Sequence, residues 1–561
     1  MKIKSLIKDS PLKNFISAYF FFFYFSGVTH LLLQLADTTI FVGLRQAIYM
    51  SLLWLIPILL FPNRTKLISG LIGLVLWITS LISIGYFCIY QQEFSQSVLF
   101  IIFESNPAES QEFIAQYFKW WMAPVFLSHT LIAYLLWKRL KPIQTNVQLR
   151  LALALVIFIF TIGYPAFKDI VLKGSDIDGA LEKLQKRMEP AQPWQLIMGY
   201  LQYQKQLKNM QGLLSQNNRL APLEGLKLIN AEQPSTVVLV IGESTNRNHL
   251  GLYGYYRDTS PRLSRIKKEL AIFNKVISPR PYTIEALEQA LTFADQENPD
   301  LVMTKPSLMN MTKQAGYKTF WITNQQTLTK RNTMLTTFSK QMDVQKYMNN
   351  SRAQNSREYD ENVFEPFQAA LNDDATQKFI VLHLLGTHMK YDYRYPPEFE
   401  KFKDGKDLPG HFSEKQTPVI NSYDNAVLYN DFVISEIISM LKNKHTRSLM
   451  TYFSDHGEDV YDTPPHNVLG RNEGKPTAAM YTVPFIVWQS PEWQASRKVE
   501  LNDFVNRPYS TSHFIHTWAD LIGITFKDFD PSKSIINKDF EKRPLLIGDP
   551  KAKGQLQELV Q

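Results

Sequence analysis

Acidic residues and a histidine follow two of the apolar runs in the polar part of the sequence. Glu243 comes just after the run 237–241, and Asp455 and His456 come just after the run 449–453. Carboxylate and imidazole ligands together suit zinc or manganese, and a catalytic zinc ion has three protein ligands and one open position. The pattern therefore predicts a metal site, although Asp455 and His456 taken alone can equally be a helix N-cap or a satisfied polar pair.

A candidate nucleophile and two further histidines accompany these ligands. Thr283 begins a helical pattern after the apolar run 273–277. Its simplest role is a helix N-cap. In the functional interpretation its hydroxyl attacks phosphorus, while helix-terminal amides bind the phosphate and a metal ion lowers the hydroxyl pKa. His388 and His466 follow loops at strand ends, where each can bind phosphate oxygens or protonate a leaving group. His383 lies within an apolar run and is expected in the core.

Short β-rich runs alternate with helical patterns beyond Ser235, which predicts a parallel sheet covered by helices. In an open sheet of this kind, ligands bind outside the carboxyl ends of the strands. The candidate ligands therefore fall where a site is expected. The predicted strands are 237–241, 273–277, 319–322, 379–385, 449–453 and 483–488, and the clearest helices are 357–371, 423–441 and 510–523.

The first third of the chain contains five apolar segments that are long enough to cross a bilayer, which requires about 20 helical residues. Lysine and arginine residues cluster before the first segment and in the loops after the second and fourth, whereas the loop 91–116 is acidic. Under the positive-inside rule the basic loops are cytoplasmic, so an odd number of spans exports the rest of the chain. The segments are 14–36, 39–61, 67–90, 117–137 and 149–167.

This pattern divides the 561 residues into a transmembrane domain over 1–167, a linker over 168–235 and a catalytic domain over 236–561. The linker contains an amphipathic segment, 193–216, that either lies on the membrane surface or packs against a domain. The formal charge of +8 does not indicate nucleic-acid binding, because the basic residues are scattered and many flank apolar segments. Cys88 is the only cysteine, which excludes an intramolecular disulfide.

Four short segments carry a resemblance to a known family: 240–244 (VIGES), 252–255 (LYGY), 257–261 (RDTSP) and 454–458 (SDHGE). They are similar to the motifs of the phosphoethanolamine transferases of Gram-negative bacteria, within the alkaline phosphatase and sulfatase superfamily. The spacing from Glu243 to Thr283, 283 minus 243 or 40 positions, is also similar. The sequence looks most like the subgroup that modifies a heptose of the lipopolysaccharide core, through the segments 278–294, 323–327 and 383–388.

The resemblance implies a bundle of five transmembrane α-helices followed by an α/β domain of the alkaline-phosphatase and sulfatase type. It implies a multi-pass protein of the bacterial inner membrane, in contact with membrane lipids, with its catalytic domain in the periplasm. The implied cofactor is zinc, with one ion expected and a second possible. The implied zinc ligands are Glu243, Thr283, Asp455 and His456, while His388 and His466 would contact the phosphoryl group or a second zinc ion and Glu109 would bind the headgroup.

The implied reaction transfers phosphoethanolamine from phosphatidylethanolamine to a lipopolysaccharide acceptor, through a covalent phosphoethanolamine intermediate on Thr283. The expected acceptor is a core heptose. Lipid A is the second candidate acceptor, although relatives that modify it have several disulfides and some have an asparagine where this chain has Ile101. Two different functions also stay open, namely phosphoglycerol transfer to a periplasmic glycan and a non-catalytic membrane scaffold. Lys330 aligns with a substrate-binding lysine of some relatives only after a shift of one residue.

Overall fold

The computed structural model divides the chain into two compact units. The first comprises Met1–Ser105 and Ser110–Lys205, and the second comprises Asn106–Glu109 and Gln206–Gln561. The structure describes residues 10–35, 41–90, 117–172, 177–201, 222–325, 334–349, 358–409, 412–497, 499–550 and 556–559, with single residues at 111, 114, 203, 204 and 208.

The first unit is helical. Among the residues of this unit that the structure describes, four helical stretches are long and apolar enough to cross a membrane, namely Pro11–Leu35, Gly43–Leu60, Pro62–Ile89 and Val147–Leu172. They correspond to four of the five predicted segments, and the count of five remains a prediction. The α-helices are α1 (Pro11–Leu35), α2 (Phe41–Ser51), α3 (Leu55–Leu60), α4 (Thr65–Tyr90), α5 (Met122–Arg139), α6 (Val147–Phe158), α7 (Tyr164–Phe167) and α8 (Ile177–Met188), with π-helical turns at Ile159–Gly163 and Lys168–Leu172.

The remaining predicted segment, 117–137, forms most of α5 and packs along α4. His129 of α5 is buried and hydrogen-bonds the Ser80 hydroxyl of α4 through Nε2 and the Tyr24 hydroxyl of α1 through Nδ1, both at 2.9 Å. Trp77 of α4 also donates to the Thr130 hydroxyl at 3.0 Å. These contacts give His129 a helix-packing role and make α5 an integral part of the bundle.

The basic ends of these helices lie together. The Lys66 ammonium, at the start of α4, donates to the carbonyls of Trp137 and Lys138 at the end of α5, each at 2.7 Å. At the start of α1, the Asn14 amide donates to the Pro142 carbonyl at 3.0 Å. The loops that the positive-inside rule assigns to one side of the membrane are therefore at one end of the bundle.

The amphipathic segment after α8 begins as a packing element of the first unit. The indole of Trp194 stacks on that of Trp54, with ring centroids 5.6 Å apart. The side chain of the preceding residue, Gln192, donates to the buried Ser83 hydroxyl at 2.7 Å, and its backbone N–H donates to the Ser26 hydroxyl at 2.9 Å. At its described beginning, this segment therefore packs against the bundle helices.

The described strands of the second unit are β1 (Lys227–Leu228), β2 (Ser235–Gly242), β3 (Leu270–Ile272), β4 (Val276–Ile277), β5 (Lys318–Thr323), β6 (Val344–Tyr347), β7 (Gln377–His383), β8 (Ser448–Ser454), β9 (Asp459–Val460), β10 (Leu469–Gly470), β11 (Phe485–Gln489), β12 (Tyr509–Ser510), β13 (Ile524–Thr525), β14 (Leu546–Ile547) and β15 (Gln557–Glu558). Seven of these strands form the main sheet, in the order β3-β11-β8-β2-β7-β5-β6. Strand β2 is central, with β7 and β8 parallel to it on either side, while β11 runs antiparallel to both β8 and β3.

Helices cover this sheet, as the alternating pattern predicts. The longest, Thr417–Lys442, starts before the predicted 423–441, because Pro418 is tolerated in the first helical turn. The α-helices of this unit are α9 (Pro261–Arg265), α10 (Thr283–Ala290), α11 (Leu301–Thr304), α12 (Leu308–Gln314), α13 (Met334–Ser339), α14 (Phe364–Leu371), α15 (Thr417–Lys442), α16 (Ala478–Tyr481), α17 (Pro491–Ser496) and α18 (Phe514–Ile522).

One predicted strand, 273–277, is wrong in extent. Strand β3 ends at Ile272, before the predicted segment begins, and pairs with β11. Only Val276–Ile277 of the predicted segment forms a strand, β4, which pairs with β12 outside the main sheet. Asn274 lies at the break, where its N–H donates to the Val505 carbonyl at 2.7 Å. This backbone bond directs the chain away from the main sheet before β4 begins.

Side chains of β2 alternate between two apolar cores. Val237, Leu239 and Ile241 belong to the core that contains α18, while Val238 and Val240 belong to the core that contains α15. Both faces are buried because a parallel sheet is covered on both sides, which explains the uninterrupted apolar run of this strand. The sheet is therefore a rigid support for the loops at its carboxyl edge.

Replacing Phe379 with alanine should lower the free energy of unfolding of the second unit by about 3–5 kcal/mol, because a large side chain is removed from a packed core. Phe379 is fully buried on β7, with its ring centroid 5.0 Å from that of Trp518. Chemical denaturation of the full chain in detergent measures the loss. Ile229→Ala, at a side chain that is 45% exposed, is the control and should change stability by less than about 0.5 kcal/mol. Equal effects of the two variants would contradict this packing.

Candidate active site

The register of three parallel strands brings the candidate ligands together. Gly242 at the end of β2 is opposite Ser454 at the end of β8, so Glu243 and Asp455 leave adjacent strands side by side. The Asp455 N–H donates to the Gly242 carbonyl at 3.1 Å, and on the other side the Thr387 N–H donates to the Glu243 carbonyl at 3.0 Å. The loops after β2, β7 and β8 are thus joined by backbone hydrogen bonds.

Thr283 meets the predicted ligands at this edge. Its hydroxyl lies 3.2 Å from Glu243 Oε2 and 3.3 Å from His456 Nε2. Ligand atoms of Glu243, Asp455 and His456 all lie within 4.8 Å of one another, and the three residues are buried. The structure therefore brings together the four residues that the sequence assigns to a metal centre.

Thr283 is not a helix N-cap, which corrects the simpler prediction for this residue. It is the first residue of α10, and the cap position belongs to Tyr282, which makes no capping bond with its side chain. The Ser278 hydroxyl donates to the Arg280 carbonyl at 2.7 Å and shapes the turn before the helix. The Thr283 hydroxyl consequently points into the cluster and not back onto its own helix.

The ring of His456 is oriented to offer a lone pair to the cluster. Its Nδ1 lies 2.9 Å from the Gly457 carbonyl, which only accepts hydrogen bonds, so Nδ1 carries the hydrogen. Burial and the neighbouring Arg471 guanidinium lower the pKa of His456, which favours the neutral ring. In that tautomer Nε2 has no hydrogen and faces Glu243 at 3.2 Å and Asp455 at 3.3 Å.

The donor set fits a divalent cation. Asp455 Oδ2 is buried and accepts no hydrogen bond from the described residues, while Asp455 Oδ1 accepts from the N–H groups of Ser244 and His456 at 3.1 and 2.7 Å. Burial, followed by the charge of Glu243, raises the pKa of Asp455 well above its usual range. Two carboxylates and an imidazole lone pair that face one another in this way are stabilised by a cation such as zinc.

The two further histidines occupy different surroundings. His388 lies next to Thr387 in the loop that follows β7. Its Nδ1 is buried without a hydrogen-bond partner in the described part of the chain. Burial lowers the pKa of His388 to about 4, although the negative charge of Glu243 acts in the opposite direction. The ring is therefore neutral near pH 7. His466 lies on the β9–β10 turn, where Nδ1 donates to the Tyr461 carbonyl at 2.8 Å. That bond and a ring contact with Phe412, at 5.6 Å between centroids, hold the His466 ring in place.

Three other residues singled out in the sequence lie in the core of the second unit or outside the described part of the chain. His383 is fully buried at the end of β7 with its ring 5.9 Å from that of Trp321, as expected for a core residue. Glu109 and Lys330 lie outside the described residues, so their proposed contacts with substrate remain predictions.

Three polar residues around the cluster were missed by the sequence reasoning. The Ser244 hydroxyl donates to Glu243 Oε1 at 2.8 Å, and the Gln325 amide donates to Glu243 Oε2 at 3.3 Å. Arg471 donates to His456 Nε2 and forms an ion pair with Glu458 at 3.2 Å. Ser244 lies in the 240–244 motif and Gln325 lies in the 323–327 segment, so the sequence marks both positions. No motif or segment named from the sequence contains Arg471.

Comparisons with known proteins identify the family. The sulfatase family profile matches residues 235–524. The chain is 47% identical over 543 residues to phosphoethanolamine transferase EptC of Escherichia coli K12, covering 96% of this chain and 94% of that protein. This chain belongs to the phosphoethanolamine transferase family.

Solved structures of phosphoethanolamine transferases agree with both units. The C-terminal periplasmic domain of E. coli EptC, solved in complex with Zn, is 52% identical, covers 60% of this chain and 96% of its own, and has a TM-score of 0.59. The integral membrane phosphoethanolamine transferase EptA of Neisseria meningitidis covers 94% of this chain and 98% of its own at 20% identity, with a TM-score of 0.62. The fold is thus apolar N-terminal helices followed by a sulfatase-type α/β domain.

Gly386→Ala should weaken metal binding by roughly tenfold or more, the usual effect of disturbing the support of a metal ligand. Gly386 has φ +55°, and an added Cβ would lie 2.8 Å from the backbone N and O of Glu243. Gly316→Ala is a matched control, because its φ is +95° but an added Cβ has nothing within 4 Å. Zinc affinity is measured by competition with a chelator. Equal affinities of the two variants would show that the close approach to Glu243 does not position this ligand.

Proposed function

We propose that this protein transfers phosphoethanolamine from phosphatidylethanolamine to a core heptose of lipopolysaccharide, through a covalent intermediate on Thr283. The observation that carries the proposal is the position of the Thr283 hydroxyl, which lies 3.2 Å from Glu243 and 3.3 Å from His456 within the buried cluster. A hydroxyl at the centre of a metal-type donor set is suited to act as a nucleophile. The names of the relatives support phosphoethanolamine as the transferred group.

Zinc would be held by Glu243, Thr283, Asp455 and His456, and the zinc complex of the EptC domain supports this choice of metal. When bound, zinc supplies Lewis-acid stabilisation of negative charge. The fixed tautomer of His456 and the unpaired Oδ2 of Asp455 are the features of this chain that favour one ion. His388, with its unpaired Nδ1, is a candidate for a second ion or for the phosphoryl group.

The reaction has two displacements at phosphorus. In the first, the Thr283 oxygen forms a bond to phosphorus, the bond from phosphorus to the diacylglycerol oxygen breaks, and diacylglycerol leaves with a proton. In the second, the acceptor oxygen forms a bond to phosphorus, the bond from phosphorus to the Thr283 oxygen breaks, and the proton lost by the acceptor hydroxyl restores the Thr283 hydroxyl. His388, with its unpaired Nδ1, and His466 are the two candidates for proton transfer. Two displacements allow the enzyme to bind donor and acceptor in turn.

The membrane unit suits substrates that are themselves in a membrane. We place it in the bacterial inner membrane with the catalytic domain in the periplasm. The grouping of Lys66 with the end of α5 supports one cytoplasmic end of the bundle. The periplasmic location of the E. coli EptC domain supports the same side for its counterpart here.

Thr283→Ala should abolish the covalent intermediate, and Thr283→Ser should retain part of the activity because it keeps the hydroxyl. Intact mass spectrometry of protein purified from membranes rich in phosphatidylethanolamine measures the adduct. Thr304→Ala, at an exposed threonine on α11, is the control and should carry the same adduct as the unmodified chain. A phosphoethanolamine adduct on Thr283→Ala would exclude this residue as the nucleophile.

Removal of the metal by a chelator should abolish transfer, and added zinc should restore it. Asp455→Asn should lower zinc affinity by roughly tenfold or more, because it replaces a charged ligand. Asp374→Asn changes an exposed aspartate and should leave zinc content and transfer unchanged. Full transfer by a protein shown to contain no metal would exclude the proposed role of this cluster.

Mass spectrometry of the products should place phosphoethanolamine on the core oligosaccharide when purified lipopolysaccharide is the acceptor. Modification of the lipid A fragment would reject core heptose as the acceptor, but it would leave the proposed donor, phosphatidylethanolamine, unchanged. Release of diacylglycerol from phosphatidylglycerol, with none from phosphatidylethanolamine, would instead establish a phosphoglycerol transferase.

A further inference from the structure

A short hairpin delivers Arg471 to the cluster. Strand β9 begins directly after Glu458 and pairs antiparallel with β10, with Gly470 opposite Asp459. The next residue on the returning strand, Arg471, therefore comes back beside Glu458. Its Nε lies 3.2 Å from Glu458 Oε2.

The guanidinium of Arg471 reaches the metal-type donor set itself. Its Nη1 donates to His456 Nε2 and lies 4.0 Å from Glu243 Oε1. The side chain of Arg471 is 18% exposed, whereas those of Glu243 and His456 are 2% and 0% exposed. Arg471 is thus on the solvent side of the buried ligands, where a substrate has to approach them.

Two residues further on, the same loop is fixed to the segment that carries Thr283. Glu473 is completely buried and forms an ion pair with the Arg280 guanidinium. This pair ties the 471–473 segment to the turn that leads into α10. Arg471 is therefore held between the His456 side of the cluster and the approach to Thr283.

One end of the guanidinium remains available to a ligand. The Nη2 group of Arg471 has no hydrogen-bond partner among the residues that the structure describes, although Nη1 and Nε are engaged. A planar guanidinium binds two phosphate oxygens with parallel N–H groups, and it keeps its charge at all relevant pH values. If Arg471 served only to pair with Glu458, it would not need to contact His456 as well or to be partly exposed to solvent.

We propose that Arg471 binds the phosphate ester of the substrate, as a further catalytic residue of the site. Its N–H groups hold nonbridging oxygens of the phosphate and offset the negative charge that increases there during transfer. Nη1 donates to the His456 Nε2 lone pair that would hold a metal ion, so Nη1 would be available to the phosphate in the metal-loaded protein. The inference rests on the proposed phosphoryl transfer at Thr283, but not on the identity of the donor lipid.

The test uses zinc-loaded full-length protein in detergent and compares the unmodified chain with Arg471→Met and Arg471→Lys. Arg262→Met is the control, because Arg262 also forms an ion pair, with Glu436 at 3.0 Å, and is 43% exposed. Each protein is titrated with inorganic phosphate by calorimetry. Zinc affinity is measured by competition with a chelator, and diacylglycerol release is measured with phosphatidylethanolamine.

Arg471→Met should weaken phosphate binding by roughly tenfold or more, because it removes charge-assisted hydrogen bonds. Its zinc affinity should equal or exceed that of the unmodified chain, because a competing positive charge is lost. Arg471→Lys keeps the charge beside Glu458 but not the planar fork, so its phosphate affinity should be intermediate with zinc binding intact. Arg262→Met should match the unmodified chain in all three measurements.

Unchanged phosphate binding in both Arg471 variants would overturn the inference. A parallel loss of zinc and phosphate binding in both variants would also overturn it, since that result indicates a structural role. If Arg471→Met does not fold, Arg471→Lys decides between these outcomes. The Arg471 variants can lose phosphate affinity while the unmodified chain itself releases no diacylglycerol from phosphatidylethanolamine. That combination would support the role of Arg471 and reject the proposed donor.

Discussion

Two carboxylates and an imidazole lone pair face one another at the carboxyl edge of the central sheet, and this unfavourable arrangement governs the rest of the catalytic unit. Glu243 and Asp455 are buried side by side because β2 and β8 are adjacent and parallel, with Gly242 opposite Ser454. A buried like-charge pair is costly unless a cation or a proton neutralises it. Nearby groups stabilise the two carboxylates. Backbone N–H groups donate to Asp455, the Ser244 hydroxyl donates to Glu243, and the Arg471 guanidinium lies 4.0 Å from Glu243. Each of these groups is therefore a consequence of the same electrostatic problem.

A second buried network explains the family motif at 257–261. Arg257 pairs with Asp424 of α15 at 2.8 Å and with Asp407 at 2.6 Å. His249 lies between Asp424 and Asp462, at 2.6 and 2.9 Å; burial opposes its charge, but the two carboxylates raise its pKa to about 10. The charges in this network compensate one another, so ionised groups are retained in the interior. The network joins the segment after β2 to α15 and to the turn after β9, and it fixes the loops that surround the cluster.

The membrane unit depends on a different constraint. In a bilayer each polar side chain between helices requires an internal partner, and His129 obtains two, Tyr24 and Ser80, from neighbouring helices. Small residues allow close packing of aromatic rings, as at Gly73, where an added Cβ would lie 2.6 Å from the ring of Phe21. These contacts hold α1, α4 and α5 together and place the basic residues at one end. The acidic loop 91–116 is the part of the predicted topology that lies largely outside the described residues.

The sequence by itself determined the apolar N-terminal helices, the helix-covered and mainly parallel sheet, and the position of Glu243, Asp455 and His456 at its carboxyl edge, but not the antiparallel direction of β11. It could do so because burial on both faces produces continuous apolar runs, and because the residue that follows such a run occupies the carboxyl edge of the sheet. Only the tertiary structure decided that Thr283 is a helical residue turned into the cluster, that no more than Val276–Ile277 of the segment 273–277 forms a strand, and that Gln325 and Arg471 reach the cluster. These features depend on strand register, on the return of a hairpin and on backbone bonds between distant segments, none of which leaves a periodic pattern in the local sequence.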